Sequence, residues 1–79
     1  MKAIKRLGKT PSELGNTTGV SGSPDILELD DGSFGIIGVD VTDTLGGQPL
    51  SDARCAPHER IIRIPRNTLI AAKPDIPEV

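Results

Sequence analysis

The stretch LELDDGSFGIIGVDV, residues 27–41, contains the strongest local folding signal in this chain of 79 residues. Two apolar runs flank Asp31 and Gly32, and an Asp-Gly pair between such runs is typical of a two-residue β-hairpin turn. With that turn, Leu29 is expected opposite Phe34. The stretch therefore predicts a hairpin, and its aspartates are interpreted as turn residues rather than as ligands of a metal loop.

The chain after the hairpin has signals for one more strand and a short helix. Residues 60–65 are β-branched and end in a proline, which is typical of a strand end. Residues 66–73 are good helix formers, and Pro74 ends the run. Residues 42–59 are expected to form a long connection that starts with a helical turn capped by Thr42.

These elements together predict an α+β fold. The expected architecture is a small antiparallel sheet, made of the Asp-Gly hairpin and a third strand, with a short C-terminal helix and a disordered N-terminal tail. A helix of about two turns is not stable alone in water and must pack on the sheet. The side chains expected to make that packing are Leu69, Ile70 and Ala72.

Charge and composition divide the chain at residue 24. Residues 1–23 contain four cations and one carboxylate, a net charge of +3, and their second half is rich in Gly, Ser, Thr and Pro. Residues 24–79 contain five cations and ten carboxylates, a net charge of −5. We therefore predict that residues 1–23 are a flexible basic tail and that residues 24–79 form a single small α+β domain.

Composition also limits the classes of partner and compartment. A single cysteine excludes an intrachain disulfide, and neither a signal peptide nor a membrane span is recognisable, so a cytoplasmic location and no membrane partner are expected. Phe34 is the one aromatic residue. Sites that stack bases or sugars on aromatic rings are therefore disfavoured.

Catalysis has weak support in the residues. Cys55 and His58 have the spacing of two zinc ligands, yet the chain has no other cysteine or histidine to complete a site. Pro57 stiffens the segment between them, and no orienting group is identifiable for a nucleophile and its base. We expect no enzyme activity, no cofactor and no metal, and a zinc-dependent dimer through these two residues remains the weaker alternative.

The apolar residues exceed what one helix can cover. A three-stranded sheet with one helix leaves its second face open, and soluble monomers seldom expose large apolar patches. This surplus predicts a surface for a protein partner or for self-association, formed by Ile26, Ile37, Val39, Val41 and Ile61. The alternative is that residues 42–59 fold over this face and cover it with Leu45 and Leu50.

The preferred interpretation is a small non-catalytic interaction or regulatory accessory protein that uses this apolar face. A dimeric DNA-binding regulator or antitoxin is the alternative, and its affinity would fall steeply with salt. The acidic body repels phosphate and favours the first interpretation. The cations that would contact nucleic acid are Lys2, Lys5, Arg6, Arg60, Arg63 and Arg66.

Two resemblances accompany these inferences. DILELDDGSFGIIGVDVTDTL (residues 25–45) and CAPHERIIRIPRNTLIAAKPDIP (residues 55–77) together resemble small actinobacterial proteins of unassigned function, often found near helix-turn-helix regulators. That resemblance implies an accessory or regulatory role and transfers no site residue. RIIRIPRNTL (residues 60–69) is similar to the strand-proline-helix corner of swapped-hairpin transition regulators and antitoxins, which implies dimerisation and DNA binding. It departs from that family in lying at the C-terminal end of an acidic body.

Overall fold

The computed structural model describes residues 1–16 and 24–78. Its main sheet has three antiparallel strands in the order β1-β2-β3. A separate ribbon pairs β4 with β5, also antiparallel. The strands are β1 (Ala3–Leu7), β2 (Asp25–Leu29), β3 (Phe34–Ile37), β4 (Val39–Asp40) and β5 (Ile62–Arg63).

The helices are short and follow the ribbon strands. Helix α1 (Thr42–Leu45) follows β4, and helix α2 (Arg66–Ala72) follows β5. A turn of 3-10 helix, Lys73–Asp75, continues α2 and contains the proline that was predicted to end it. The predicted α+β class is thereby confirmed, with a C-terminal helix within one residue of its expected end.

The prediction of a disordered N-terminal tail is wrong for β1. Strand β1 pairs with β2, with Leu7 opposite Ile26 and Arg6 opposite Leu27. Leu7 is 2 % exposed, the most deeply buried large side chain of the described residues. An apolar residue among lysines was interpreted as part of a solvated tail, whereas burial of Leu7 makes residues 3–7 part of the same folded unit as β2.

The chain after β1 forms a capped turn that the tail prediction also missed. The N–H of Glu13 donates to the hydroxyl of Thr10 (3.1 Å), and the N–H of Thr10 donates to the carboxylate of Glu13 (3.0 Å). This reciprocal pair has the arrangement of a capping box, and Pro11 directly follows the capping residue in the turn. The side chain of Asn16 then bonds to Thr68 of α2 (3.2 Å). Residues 17–23 of the predicted tail lie outside the described residues.

The predicted hairpin is present, but its loop is one residue longer than expected. Glu28 lies opposite Phe34, the position assigned to Leu29 by a two-residue turn. The N–H of Leu29 bonds to the carbonyl oxygen of Ser33 (2.9 Å), so three residues form the loop. The last of them, Gly32, has a φ of 86°. A type I turn followed by glycine in this region is a common three-residue hairpin connection.

The one-residue difference in register changes which side chains of β2 and β3 share a face. Successive strand residues point to opposite sides, so a shift by one residue moves the side chains of one strand to the other face relative to its partner. Ile26 and Ile36 therefore share a face with Leu7, whereas Leu27 and Leu29 lie on the opposite face. The ion pair of Arg6 and Asp25 also lies on that opposite face.

The core is small and lies between the main sheet and α2. Its buried aliphatic side chains, within the described ranges, are Leu7, Ile26 and Ala72, and Ile64 packs against them. Helix α2 faces the core through Thr68 and Ala72. The predicted contact through Ala72 is confirmed, whereas Leu69 and Ile70 are exposed. The side-chain amide of Asn16 donates a hydrogen bond to the hydroxyl of Thr68, so the turn after β1 is joined to this face of α2.

The predicted third strand pairs with a different partner from the one expected. β5 pairs with β4 rather than with the hairpin, because the chain leaves the main sheet at Gly38. A β-carbon on Gly38 would lie 2.5 Å from the carbonyl oxygen of Arg63 and 2.8 Å from Cγ2 of Ile62. Glycine thus permits the backbone of the β3–β4 junction to approach β5 closely.

Candidate interaction site

An apolar groove lies beside the β4–β5 ribbon. It has a volume of about 460 Å³ and is open to solvent, and its walls come from α1 and from the segment that contains β5. All the lining residues except Thr44 and Arg63 are aliphatic. We refer to it as the ribbon groove, defined by Val41, Thr44, Leu45, Ile61, Ile62, Arg63 and Ile64.

Hydrogen bonds at one end of the ribbon position α1 against the segment before β5. The N–H of Val41 donates to the carbonyl oxygen of Ile61 (2.9 Å). The N–H of Ile61 in turn donates to the hydroxyl of Thr42 (2.7 Å). Thr42 was predicted to cap α1, but the capping position is Val41 and the Thr42 side chain instead joins the two walls of the groove.

A charged cluster on the exposed side of the ribbon supports the same geometry. Asp40 accepts hydrogen bonds from Nε of Arg60 (2.8 Å) and from the hydroxyl of Thr42 (2.7 Å). These bonds, with the Arg60 bond contributing most, lower the pKa of Asp40 from 3.8 to about 2. Asp40 is therefore ionised at neutral pH, and Arg60 is paired with a carboxylate.

We expect Gly38→Ala to displace β5 and so to distort the ribbon groove. The added β-carbon would overlap the backbone of Arg63, which cannot move aside as a side-chain tip can. Overpacking of this kind lowers the free energy of unfolding by about 1–3 kcal/mol. Urea unfolding measures that loss, and amide NMR shifts are expected to concentrate on residues 61–64.

Gly47→Ala is the control, because its β-carbon would make only an ordinary contact, 3.7 Å from the carbonyl oxygen of Cys55. Its effect is expected to stay within about 0.5 kcal/mol. Equal losses in the two variants would contradict the close approach at Gly38.

The structure brings together part of the predicted partner surface. Val41 and Ile61 both line the ribbon groove. Val39 is 58 % exposed on the same ribbon, and Ile37 is 45 % exposed on β3 of the main sheet. Ile26 was wrongly placed on this surface, because it is 5 % exposed in the core and has no area left for a partner.

Residues 42–59 do not cover the apolar surface with Leu45 and Leu50, as the alternative prediction required. Leu45 forms a wall of the ribbon groove, yet it is 51 % exposed, and Leu50 is 64 % exposed. Neither leucine is buried against the ribbon. The groove therefore keeps its apolar lining accessible to solvent.

The candidate nucleic-acid cations do not form one group of free charges. Lys5 pairs with Glu28 (3.8 Å), and Arg6 pairs with Asp25 (2.5 Å). Arg60 pairs with Asp40 in the cluster described above. Half of the candidate cations thus lie beside carboxylates. A phosphate group that approached these cations would have to displace the carboxylates or would be repelled by them. The remaining candidates are Lys2, Arg63 and Arg66.

Cys55 and His58 lie in the loop between α1 and β5. The thiol of Cys55 lies 3.2 Å from the backbone carbonyl oxygen of Glu59, to which it donates. His58 is exposed. Over residues 1–16 and 24–78, no three His, Cys, Asp or Glu side chains are grouped so as to hold a metal ion.

Four groove residues were absent from the predicted sites, namely Thr44, Leu45, Ile62 and Ile64. Residues 60–65 were expected to extend the hairpin sheet, so Ile62 and Ile64 were not expected beside a separate ribbon. The signal that separates the ribbon from that sheet is Gly38, which interrupts an otherwise continuous apolar run. Glycine inside a strand pattern often marks a close backbone approach.

Comparisons with known proteins leave the chain without a family assignment. No protein-family model, curated protein or solved structure matches it. Within the described ranges, no helix is long and apolar enough to cross a membrane.

Proposed function

We propose that this protein is a small non-catalytic interaction module that binds a protein partner through the ribbon groove. One observation carries the proposal: five aliphatic residues surround an open groove of about 460 Å³ in a domain with a very small core. Burying one exposed leucine or isoleucine side chain contributes about 1.5–3 kcal/mol. Filling this groove would therefore add a large share of the stability of so small a domain.

The physical character of the groove favours a protein surface over a nucleic acid. Its single charged residue is Arg63, and the rest of the lining offers aliphatic contact without aromatic rings. Nucleic-acid sites depend on phosphate contacts from several cations or on stacking. The candidate cations Lys5, Arg6 and Arg60 already pair with carboxylates.

The proposed accessory or regulatory complex would be held together by apolar contact. An open apolar groove offers a partner a place to bury surface, and apolar burial is not screened by salt. We therefore expect a complex that survives a high-salt wash. Association through phosphate would instead release nucleic acid as the salt concentration rises.

We expect Leu45→Asp to abolish or weaken partner binding by at least about tenfold, a loss of about 1.4 kcal/mol. The substitution places a carboxylate in the apolar wall of the groove at a residue that is 51 % exposed, so the fold is preserved. Tagged protein is incubated with native lysate and washed at low and at high salt. The bound proteins are identified, and bound nucleic acid is assayed.

Leu50→Asp is the matched control, since Leu50 is a 64 % exposed leucine outside the groove. A defined protein should remain with the native chain and with this control and be lost from Leu45→Asp. Retention of that protein by Leu45→Asp, or recovery of salt-sensitive nucleic acid alone, would contradict the proposal.

A further inference from the structure

The ribbon groove borders the whole length of β5. The four consecutive residues 61–64 all line it. Successive side chains of a strand point to opposite faces, so these four residues present side chains from both faces of the strand. A segment bound beside all four would therefore also lie beside the backbone of β5.

The edge of β5 opposite β4 presents the backbone of Ile62. Val41 and Ile61 are joined by a backbone hydrogen bond (2.9 Å), and Asp40 is the next residue to be paired, opposite Ile62. Hydrogen-bonded and non-hydrogen-bonded pairs alternate along an antiparallel ribbon. The N–H and carbonyl groups of Ile62 therefore point away from β4. In the part of the chain that the structure describes, β4 is the strand that pairs with β5.

Arg63 adds a charge that the described residues leave without a carboxylate. The ion pairs present in residues 1–16 and 24–78 use Lys5, Arg6 and Arg60. Arg63 is exposed and is the single charged residue of the groove lining. An apolar segment with an acidic side chain would complement both the lining and this guanidinium.

From these three observations we propose that the edge of β5 binds an extended segment of a partner protein, apolar and with one acidic residue, as an added strand. Backbone bonds to Ile62 supply the pairing, and aliphatic side chains of the segment contact Leu45, Ile61 and Ile64. Its carboxylate pairs with Arg63. Strand addition of this type obtains affinity from the main chain and specificity from side-chain contacts.

A second copy of this chain fits the same edge less well. Antiparallel pairing of two β5 strands about Ile62 would place Arg63 opposite Ile61 of the second copy. Each guanidinium would then face an aliphatic residue rather than a carboxylate. Charge complementarity thus favours a segment from a different protein over self-pairing.

The inference rests on the proposed function and is tested by peptide selection. The native chain is used to select from a displayed library of random peptides. We expect the enriched sequences to place β-branched residues around one Asp or Glu. With Arg63→Glu as the bait, the preferred charge should change to Lys or Arg. Arg66→Glu makes the same charge change outside the groove, and it should keep the acidic preference.

Backbone pairing is tested on one enriched peptide by N-methylation at alternate residues. One set of methyl groups should lower affinity more than about tenfold because it blocks the edge that faces Ile62, and the other set should leave affinity unchanged, as only one edge of a strand pairs. The proposal is overturned if no peptide is enriched, if Arg63→Glu leaves the charge preference unchanged, or if both methylated sets bind equally.

The outcomes separate this inference from the function on which it depends. A complex lost in Leu45→Asp without any selected peptide would mean that the groove binds a folded surface, so the strand inference alone would fail. A dimer of the native chain that Leu45→Asp dissociates, measured by sedimentation, would assign the groove to a second copy and also overturn it. A complex that Leu45→Asp does not weaken would contradict the proposed function itself, because the partner would then bind outside the ribbon groove.

Discussion

Gly8→Ala is expected to lower the free energy of unfolding by about 2–5 kcal/mol. The left-handed backbone contributes about 1–2 kcal/mol of this loss. Overpacking by the added β-carbon contributes about 1–3 kcal/mol. Gly8 has a φ of 79°, and a β-carbon there would lie 2.8 Å from the backbone nitrogen of Ala72. Its N–H also donates to the carboxylate of Asp75 (2.8 Å). The residue thus joins the end of β1 to the C-terminal helix. Urea unfolding monitored by circular dichroism measures the loss.

Gly15→Ala separates the two causes. Gly15 has a φ of 74°, close to that of Gly8, but nothing lies within 4 Å of its ideal β-carbon. It should therefore show only the backbone cost of about 1–2 kcal/mol. If Gly8→Ala were no more harmful than Gly15→Ala, the close packing of β1 against α2 would be refuted.

Leu7→Ala is expected to lower the free energy of unfolding by about 2–5 kcal/mol, the range for removing a large buried aliphatic side chain. Leu7 is 2 % exposed and packs with Ile26 and Ala72. With so few buried aliphatic residues, neighbouring side chains have little scope to fill the cavity. Thermal and urea unfolding of the native chain and the variant give the difference.

Ile4→Ala provides the comparison within the same strand. Ile4 is 59 % exposed, and its loss should lower the free energy of unfolding by less than about 1 kcal/mol. A detached N-terminal tail predicts no effect from either substitution. A large loss for Leu7→Ala alone is therefore the result that establishes β1 as part of the fold.

Local signals in the sequence predicted the elements whose causes are themselves local. The Asp-Gly pair produces the hairpin because glycine accepts the positive φ that the loop requires. The run after Pro65 forms α2 because proline suits the start of a helix and the following residues have good helix propensity. Both features depend on neighbours in the sequence, so no knowledge of distant contacts was needed.

The register and the N-terminal strand depended on more distant contacts. The Asp-Gly signal is compatible with a two-residue or a three-residue loop, and the bond from Leu29 to Ser33 selects the longer one. A five-residue strand such as β1 has little periodicity of its own. Its pairing with β2 and the burial of Leu7 become evident only when α2 covers that face.

The groove was predicted only in part, because its assembly also depends on contacts between residues far apart in the chain. Val41 and Ile61 were placed on a common apolar surface, whereas the contribution of Leu45 requires α1 to turn toward β5. The hydroxyl of Thr42 fixes that turn through its bond to the N–H of Ile61. The two residues are 19 positions apart in the chain, so their pairing is not visible in a local pattern.

The sequence by itself determined the α+β class, the position of the hairpin and the C-terminal helix, since turn chemistry, β-branching and helix propensity act between near neighbours. The tertiary structure alone decided the register, the place of β1 in the sheet, the separation of the ribbon at Gly38 and the assembly of the ribbon groove. These features depend on burial and on hydrogen bonds between residues far apart in the chain, and many pairings of short apolar runs satisfy the same local pattern.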